Sequence, residues 1–123
     1  MTKPLKILVL DDHVDVAASI GEILELDGHE VTLVHNGINA IAAYTNNFFD
    51  IGLFDVKMPG INGVDSFLEI KKMNPHASVI MMTGYADDGV IERAIENGAL
   101  GPLRKPFEVD ELIQRIDDAT VSA

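Results

Sequence analysis

The chain has 123 residues, no cysteine and a formal net charge of −11. Its length suits one domain with a sizeable core, and the lack of cysteine excludes disulfides and thiolate metal sites. An acidic surface repels nucleic-acid phosphates and anionic membranes, so neither is expected as a partner. Since no apolar run has the length of a membrane span or a secretory signal, the expected location is the cytoplasm.

The first part of the chain alternates between strand-like and helical patterns. The apolar run from Lys6 to Leu10 predicts a strand buried on both faces. Helical spacing follows from Val14 to Leu26, and Gly28 ends it. Val31 to Val34 predicts a second strand, and Asn36-Gly37 predicts a turn before a second helix.

The same alternation continues through the rest of the chain. Ile51 to Phe54 predicts a third strand that ends at Asp55, and a third helix follows the Met58-Pro59-Gly60 break. Ser78 to Met82 predicts a fourth strand, and a helical stripe comes after it. A fifth strand is predicted from Leu100 to Arg104.

Five strand–helix units with short connections predict an α/β fold. The last helix is expected to be capped by Asp110 and to carry Leu112, Ile113 and Ile116. The simplest architecture is a doubly wound, flavodoxin-like, five-stranded parallel sheet in the order 2-1-3-4-5 with five helices. One domain is expected over residues 1–123, with a core of about residues 5–118 and a short frayed tail over residues 119–123.

Polar residues follow four of the predicted strands. The first strand ends at Asp11-Asp12, the third at Asp55, the fourth at Thr83 and the fifth at Lys105. Ligands of such sheets bind at the carboxyl ends of the strands, so these side chains should meet. Clustered carboxylates need a cation, and Mg²⁺ or Mn²⁺ prefers oxygen ligands. A lysine and a hydroxyl suit phosphoryl oxygens, and a central aspartate suits the nucleophile.

In this order, the segments resemble the response-regulator receiver domain of two-component signalling, of the chemotaxis-regulator type. The matching pieces are KILVL before Asp11-Asp12, LFDVKMPGINGVD around Asp55, VIMM before Thr83-Gly84, and Lys105-Pro106-Phe107. The resemblance covers the chain from Lys6 to about Ile116. Each dipeptide is common, but the complete set at strand ends is specific.

The resemblance implies a metal-assisted phosphoacceptor site. Asp55 would accept the phosphoryl group from a histidine kinase or a histidine phosphotransfer protein. Asp12 would bind the metal directly and Asp11 mainly through water, while Asp55 and the backbone carbonyl of Lys57 would complete the metal shell.

The resemblance also implies how the site is read and tuned. Thr83 and Lys105 would hold the phosphoryl oxygens, and the Lys105–Pro106 bond would be cis. Phosphorylation would shift an existing equilibrium, and an output domain or target protein would bind the face of the fourth helix, fifth strand and fifth helix. Lys57 and Tyr85 occupy positions that tune hydrolysis in the family, so a phospho-form that is not unusually short-lived is expected.

Pro102 departs from the family pattern. Receiver domains usually place an aromatic switch residue three positions before the lysine, and here that position is proline. Proline lacks an N–H group and belongs on an edge strand, which the fifth strand is in the predicted order. The hypothesis is that signalling uses backbone shifts from Thr83 to Ala86, with movement of Tyr85.

Each residue also has a simpler interpretation when taken alone. Asp11-Asp12 could cap the first helix, Asp55 could precede a turn, Thr83 could be an ordinary strand-end hydroxyl, and Lys105 could be a solvated lysine. Only their combination favours a phosphoryl site. The histidines show no metal-ligand spacing and are expected at the surface or at strand ends, with the first of them nearest the acidic crevice; they are His13, His29, His35 and His76.

Two other functions compete with the phosphoacceptor interpretation. A haloacid dehalogenase-type phosphatase also uses an aspartyl nucleophile, but it needs an aspartate two positions later, where this chain has Lys57, and there is no room for a cap domain. A receiver-like interaction module that is never phosphorylated is kept open by Pro102. A nucleotide-binding domain lacks its glycine-rich signals here. The chain is expected not to be an enzyme beyond its own phosphorylation and dephosphorylation.

Overall fold

The computed structural model describes residues 4–58, 60–84 and 88–121. Within these ranges, five strands alternate with five helices. The strands are β1 (Lys6–Leu10), β2 (Glu30–Val34), β3 (Ile51–Asp55), β4 (Val79–Thr83) and β5 (Leu100–Arg104), and the helices are α1 (Val14–Leu26), α2 (Gly37–Asn46), α3 (Gly63–Met73), α4 (Asp88–Glu96) and α5 (Val109–Val121). The alternation predicted from the sequence is confirmed.

The sheet is parallel throughout and has the order β2-β1-β3-β4-β5, as predicted. Residues on the two faces of the strands enter two separate apolar clusters. Phe54 packs with Phe67 on the face covered by α2, α3 and α4. Leu53 packs with Leu112 on the face covered by α1 and α5. Every residue of β3 and β4 is buried because helices cover both faces of the sheet.

Side-chain caps set the start of two helices. The carboxamide oxygen of Asn36 accepts the Asn39 N–H at 2.8 Å, and that of Asn62 accepts the Asp65 N–H at 2.8 Å. The turn expected at Asn36-Gly37 is therefore the N-terminus of α2. At the other end of α1, Gly28 adopts a left-handed φ of 95° just after the helix, as its position in the sequence predicted.

The last helix corrects the expectation for Asp110. Because α5 begins at Val109, Asp110 lies inside its first turn, and the carbonyl of Glu108 accepts the Leu112 N–H at 3.1 Å. An acidic residue favours both the cap and the first turn, where it meets the positive end of the helix dipole, so the residue type alone did not separate the two positions.

The frayed tail expected from residue 119 is also wrong where the structure describes it. Helix α5 continues to Val121, and Ala119 packs against the core of the sheet. The Thr120 hydroxyl donates to the Ile116 carbonyl at 2.9 Å. The apolar contact of Ala119 with the core and the high helix propensity of alanine both favour this continuation of the helix. In the part of the chain that is described, no helix has the length and apolar character needed to cross a membrane.

Strand β5 carries a bulge on the edge of the sheet. Ile80 lies opposite Leu100 and Met82 opposite Leu103, so β5 uses one more residue than β4 over this stretch. Gly101 has a φ of 107°, and a Cβ atom there would lie 2.9 Å from the Met81 carbonyl oxygen. Pro102 follows in this edge strand, as predicted, and both X–Pro bonds here, Gly101–Pro102 and Lys105–Pro106, are cis.

Candidate functional site

Four strands end at one polar pocket. Asp11 directly follows β1, Asp55 is the last residue of β3, Thr83 is the last residue of β4, and Lys105 directly follows β5. Asp11, Asp55 and Thr83 are buried, and the Lys105 side chain is 23% exposed. The order of the strands thus brings together the side chains that the sequence predicted to meet.

Lys105 lies between two carboxylates of the pocket. Its Nζ is 2.7 Å from Asp11 Oδ2 and 3.6 Å from Asp55 Oδ2. Its backbone N–H donates to the Thr83 carbonyl at 2.7 Å, which joins the ends of β5 and β4. The lysine therefore places one positive charge in the pocket and couples that charge to the backbone of both strands.

Burial raises the pKa of Asp55 from 3.8 to about 6. The positive charge of Lys105 opposes this rise, whereas the negative charge of Asp11 adds to it. A hydrogen bond from the Lys57 backbone N–H lowers the pKa, and the negative charge of Asp12 makes the smallest contribution, which raises it. One lysine does not compensate three carboxylates, so a further cation would stabilise the ionised form of Asp55.

A group of oxygen and nitrogen atoms in the pocket is spaced for a metal ion. Asp11, Asp12, His13 and Asp55 each offer one ligand atom, and these atoms all lie within 4.8 Å of one another. Asp12 Oδ1 is buried and has no hydrogen-bond partner among the described residues. A divalent cation would satisfy this oxygen, and carboxylates are the ligands that Mg²⁺ prefers. The donor set therefore fits such an ion.

Sequence reasoning did not foresee the contacts of two histidines with Asp11. The backbone N–H of His13 donates to Asp11 Oδ1 at 2.9 Å, and the Nδ1 atom of its ring lies 3.2 Å from the same oxygen. His35 follows β2, and its Nδ1 donates to the Asp11 backbone carbonyl at 3.0 Å. The signal for His35 was its position at the end of the strand next to β1.

Two further predicted site residues, Thr83 and Lys57, belong to the part of the chain that the structure describes. The buried Thr83 hydroxyl donates to the Gly84 carbonyl at 3.4 Å. Lys57 is exposed, two positions after Asp55. Tyr85 lies outside the described residues.

Helix α3 begins against the end of β3, close to the Asp55 backbone. The Gly63 N–H donates to the Val56 carbonyl at 3.3 Å. A Cβ atom at Gly63 would overlap the carbonyl oxygen of Asp55, so glycine permits this approach of helix and strand. The position of the Asp55 backbone therefore depends on Gly63.

An apolar groove of about 640 Å³ opens beside the pocket. Its apolar wall comes from α1 and from the turn after β5, and it reaches the pocket at Gly84 and Lys105. The apolar residues that line it are Val16, Ile20, Ile23, Pro106 and Phe107.

Comparison with known proteins identifies the family. The family model described as the response regulator receiver domain matches residues 7–117. The chain belongs to the response regulator receiver domain family. A receiver domain protein from Clostridium thermocellum has 37% identity and a TM-score of 0.88, with coverage of 94% of this chain and 93% of that chain.

Curated relatives of this receiver domain differ in length. Sporulation initiation phosphotransferase F of Bacillus subtilis is 32% identical over 107 residues, which are 87% of this chain and 86% of the relative. The transcriptional regulatory protein ZraR of Klebsiella oxytoca is 33% identical over 113 residues, which are 92% of this chain but 26% of the relative. The receiver domain thus spans most of one relative and about a quarter of the other.

Membership of the family establishes the general role of the domain. Receiver domains are signalling domains that are phosphorylated on an aspartate, bind Mg²⁺ at an acidic pocket and signal to output domains in two-component systems. The resemblance seen in the sequence and the predicted fold class are both confirmed.

Proposed function

We propose that Asp55 is the phosphoacceptor and that a histidine kinase or histidine phosphotransfer protein supplies the phosphoryl group. The observation that carries this proposal is the position of Asp55. Its carboxylate ends the central strand, lies 3.6 Å from the Lys105 ammonium group and belongs to the cluster that could hold a metal ion. A nucleophile, a cation and metal ligands therefore meet at one point.

In the proposed reaction, a carboxylate oxygen of Asp55 attacks the phosphorus of a phosphohistidine. The phosphorus–nitrogen bond breaks, and the donor's imidazole nitrogen keeps the electron pair. Lys105 and the Thr83 hydroxyl hold phosphoryl oxygens, which stabilises the charge that spreads over them. Because the Lys105 backbone N–H is hydrogen-bonded to the Thr83 carbonyl, the positions of the two residues are coupled.

Mg²⁺ or Mn²⁺ would supply further charge neutralisation for the phosphoryl oxygens. Asp11, Asp12 and Asp55 would hold it together with the backbone carbonyl of Lys57. The unpartnered Asp12 Oδ1 supports this assignment, since a bound cation would remove the cost of burying it.

The apolar groove beside Lys105 suits the phosphodonor protein. It adjoins the pocket, so a helix seated in it could present a histidine to Asp55. Val14 and Val16 are 59% and 38% exposed on the α1 side of the site, and such apolar exposure favours a protein partner.

An output domain or target protein would bind the face formed by α4, β5 and α5. Ile95 and Leu100 are 39% and 37% exposed there. The Arg115 guanidinium donates to the Pro102 carbonyl at 3.2 Å, so α5 is tied to the β5 bulge. Movement at Thr83 and Lys105 would therefore reach this face through backbone contacts, without an aromatic switch at Pro102.

The domain would act only on its own phosphoryl group. A phosphatase of the haloacid dehalogenase type needs an acid two positions after its nucleophile, and the exposed Lys57 stands there. Lys57 and Tyr85 would instead tune how long the phosphoryl group persists.

Phosphorylation by acetyl phosphate with Mg²⁺ tests the proposal. Intact mass should show the gain of one phosphoryl group in the parent protein and no gain in Asp55→Asn. Gain in both proteins would move the acceptor elsewhere. If neither protein gains mass although Mg²⁺ binds, a beryllofluoride titration separates two explanations. Binding of beryllofluoride would mean that the domain accepts phosphate only from a protein donor, and failure to bind would favour an interaction module that is never phosphorylated. Turnover of a phosphomonoester would revive the phosphatase.

A further inference from the structure

His13 supplies the one nitrogen ligand atom of the acidic cluster. Its side chain is 67% exposed, yet Nδ1 lies 3.2 Å from Asp11 Oδ1 and 3.3 Å from Asp12 Oδ1. The hydrogen bond from the His13 backbone to Asp11 Oδ1 anchors the start of this side chain at the pocket. Although the ring as a whole is exposed, its Nδ1 atom therefore lies close to both carboxylates.

These separations match those of neighbouring ligands on a single ion. Two ligand atoms bound at about 2.1 Å lie about 3.0 Å apart at a right angle and about 3.4 Å apart at a tetrahedral angle. The two distances from Nδ1 fall within this interval. The buried Asp12 Oδ1 makes no hydrogen bond among the described residues, and the 3.3 Å approach of His13 Nδ1 is an ion-pair distance to it.

We propose that His13 is a nitrogen ligand of the pocket and that the receiver domain binds a borderline transition-metal ion, such as Zn²⁺ or Co²⁺, through Asp11, Asp12 and His13. Imidazole nitrogen suits these ions, whereas Mg²⁺ prefers oxygen ligands. This inference rests on the proposed metal role of Asp11 and Asp12. It adds that the identity of His13 sets which ion the pocket prefers.

The ligand would be the neutral imidazole with its proton on Nε2, which leaves the Nδ1 lone pair directed at the ion. Asp11 Oδ2 is held by Lys105 at 2.7 Å, so Oδ1, which also accepts the His13 backbone N–H, would be the oxygen that binds the metal. A transition-metal ion held in this way takes the same carboxylate oxygens as Mg²⁺. The two ions therefore compete, and the metal content of the surroundings would control how much of the domain can be phosphorylated with Mg²⁺.

Metal titration of three proteins tests this selectivity. Calorimetry with Co²⁺ and with Mg²⁺ is carried out on the parent, on His13→Ala and on His76→Ala, a control histidine that is exposed before β4. The ratio of Co²⁺ to Mg²⁺ affinity should fall at least about tenfold in His13→Ala, since even changes in outer-shell partners cost this much. The ratio should stay at the parent value in His76→Ala.

Proton NMR of the Co²⁺-loaded protein gives a second readout. Ring protons of His13 should show large paramagnetic shifts if its nitrogen binds the ion. An equal affinity ratio in all three proteins, or an unshifted His13 ring, would overturn the inference. If Mg²⁺ binds but the ratio of Co²⁺ to Mg²⁺ affinity is the same with and without the His13 side chain, only the proposed role of His13 is wrong. If neither ion binds any of the folded proteins, the metal role of Asp11 and Asp12 fails as well.

Discussion

At the scale of single residues, the charge of Asp55 opposes folding when no divalent ion is present. Burial raises its pKa from 3.8 to about 6, so the folded state binds the proton more tightly than the unfolded state does. The contribution of this group to stability is therefore lost as the pH rises from about 4 to about 6. Above that window, with allowance for screening by solvent, the buried charge costs about 2–3 kcal/mol.

Asp55→Asn should therefore stabilise the ion-free domain. We expect the free energy of unfolding in denaturant to rise by about 2–3 kcal/mol near neutral pH and the gain to shrink toward about pH 4, where the parent carboxyl is protonated in the folded state. Asp118→Asn, which removes the same charge from an exposed position on α5, serves as the control. A gain that does not depend on pH would contradict the assigned pKa.

Tyr44 shows a buried polar group of a different kind. Its hydroxyl has no hydrogen-bond partner among the described residues, and burial raises the pKa of that hydroxyl. The ring itself packs against Phe49, with centroids 5.0 Å apart. The buried hydroxyl therefore lowers the free energy of unfolding, whereas the packing of the ring raises it.

Tyr44→Phe should raise the free energy of unfolding by about 1 kcal/mol, because it removes an unsatisfied buried group and keeps the ring. Tyr44→Leu should lower it by about 2 kcal/mol, because the ring contacts are lost. Denaturant titration of both variants measures the two signs. Destabilisation by both would mean that the hydroxyl is hydrogen-bonded in solution.

The predicted site residues share a simple signal, which is their position at the ends of buried strands. Strand ends can be read from apolar runs, so Asp11, Asp55 and Lys105 could be predicted to meet. The contacts of His13 and His35 depend on the path of a loop and on side-chain rotamers, which no sequence pattern encodes. Asp110 shows the same limit, since a cap and a first turn favour the same residue type.

At the scale of elements, the packing of α3 on β3 depends on one glycine. Local helix and turn patterns do not distinguish Gly63 from Gly89, since each lies near the start of a helix. In the fold, a Cβ atom at Gly63 would overlap the Asp55 carbonyl oxygen, whereas no neighbour among the described residues lies within 4 Å of one at Gly89. Strand and helix bounds follow from local periodicity, but such close approaches exist only in the tertiary structure.

Gly63→Ala and Gly89→Ala should therefore act in opposite directions. We expect Gly63→Ala to lower the free energy of unfolding by about 3 kcal/mol, because α3 must move away from β3. Gly89→Ala should raise the free energy of unfolding by about 0.5 kcal/mol, because alanine lowers the conformational entropy of the unfolded chain. Thermal or denaturant unfolding measures both effects. Equal effects at the two positions would show that α3 does not approach Asp55 so closely.

At the scale of the whole molecule, the signal is expected to travel through hydrogen bonds to backbone carbonyl groups. The Lys105 N–H binds the Thr83 carbonyl at 2.7 Å, and Arg115 binds the Pro102 carbonyl at 3.2 Å. A phosphoryl group that draws Thr83 and Lys105 inward should therefore move both strands and α5. The bulge of β5 lies on this route.

Beryllofluoride with Mg²⁺ should change amide NMR shifts at Gly101, Leu103 and Arg115, which lie away from Asp55 along the chain. The same treatment of Asp55→Asn provides the control. Shifts confined to the residues around the pocket would rule out the backbone route and leave the output face unexplained. A shift of the Tyr85 amide in the same spectra would test the hypothesis that Tyr85 moves on phosphorylation.

The bulge with Pro102 has a further consequence for how the molecule behaves in a crowded solution. A regular edge strand offers a row of N–H and carbonyl groups on which another chain can pair and aggregate. At β5 the bulge breaks the spacing of that row, and proline removes one of its donors. Strand addition from a neighbouring molecule is thus disfavoured on this side of the sheet, which lowers the tendency of the domain to aggregate through β5.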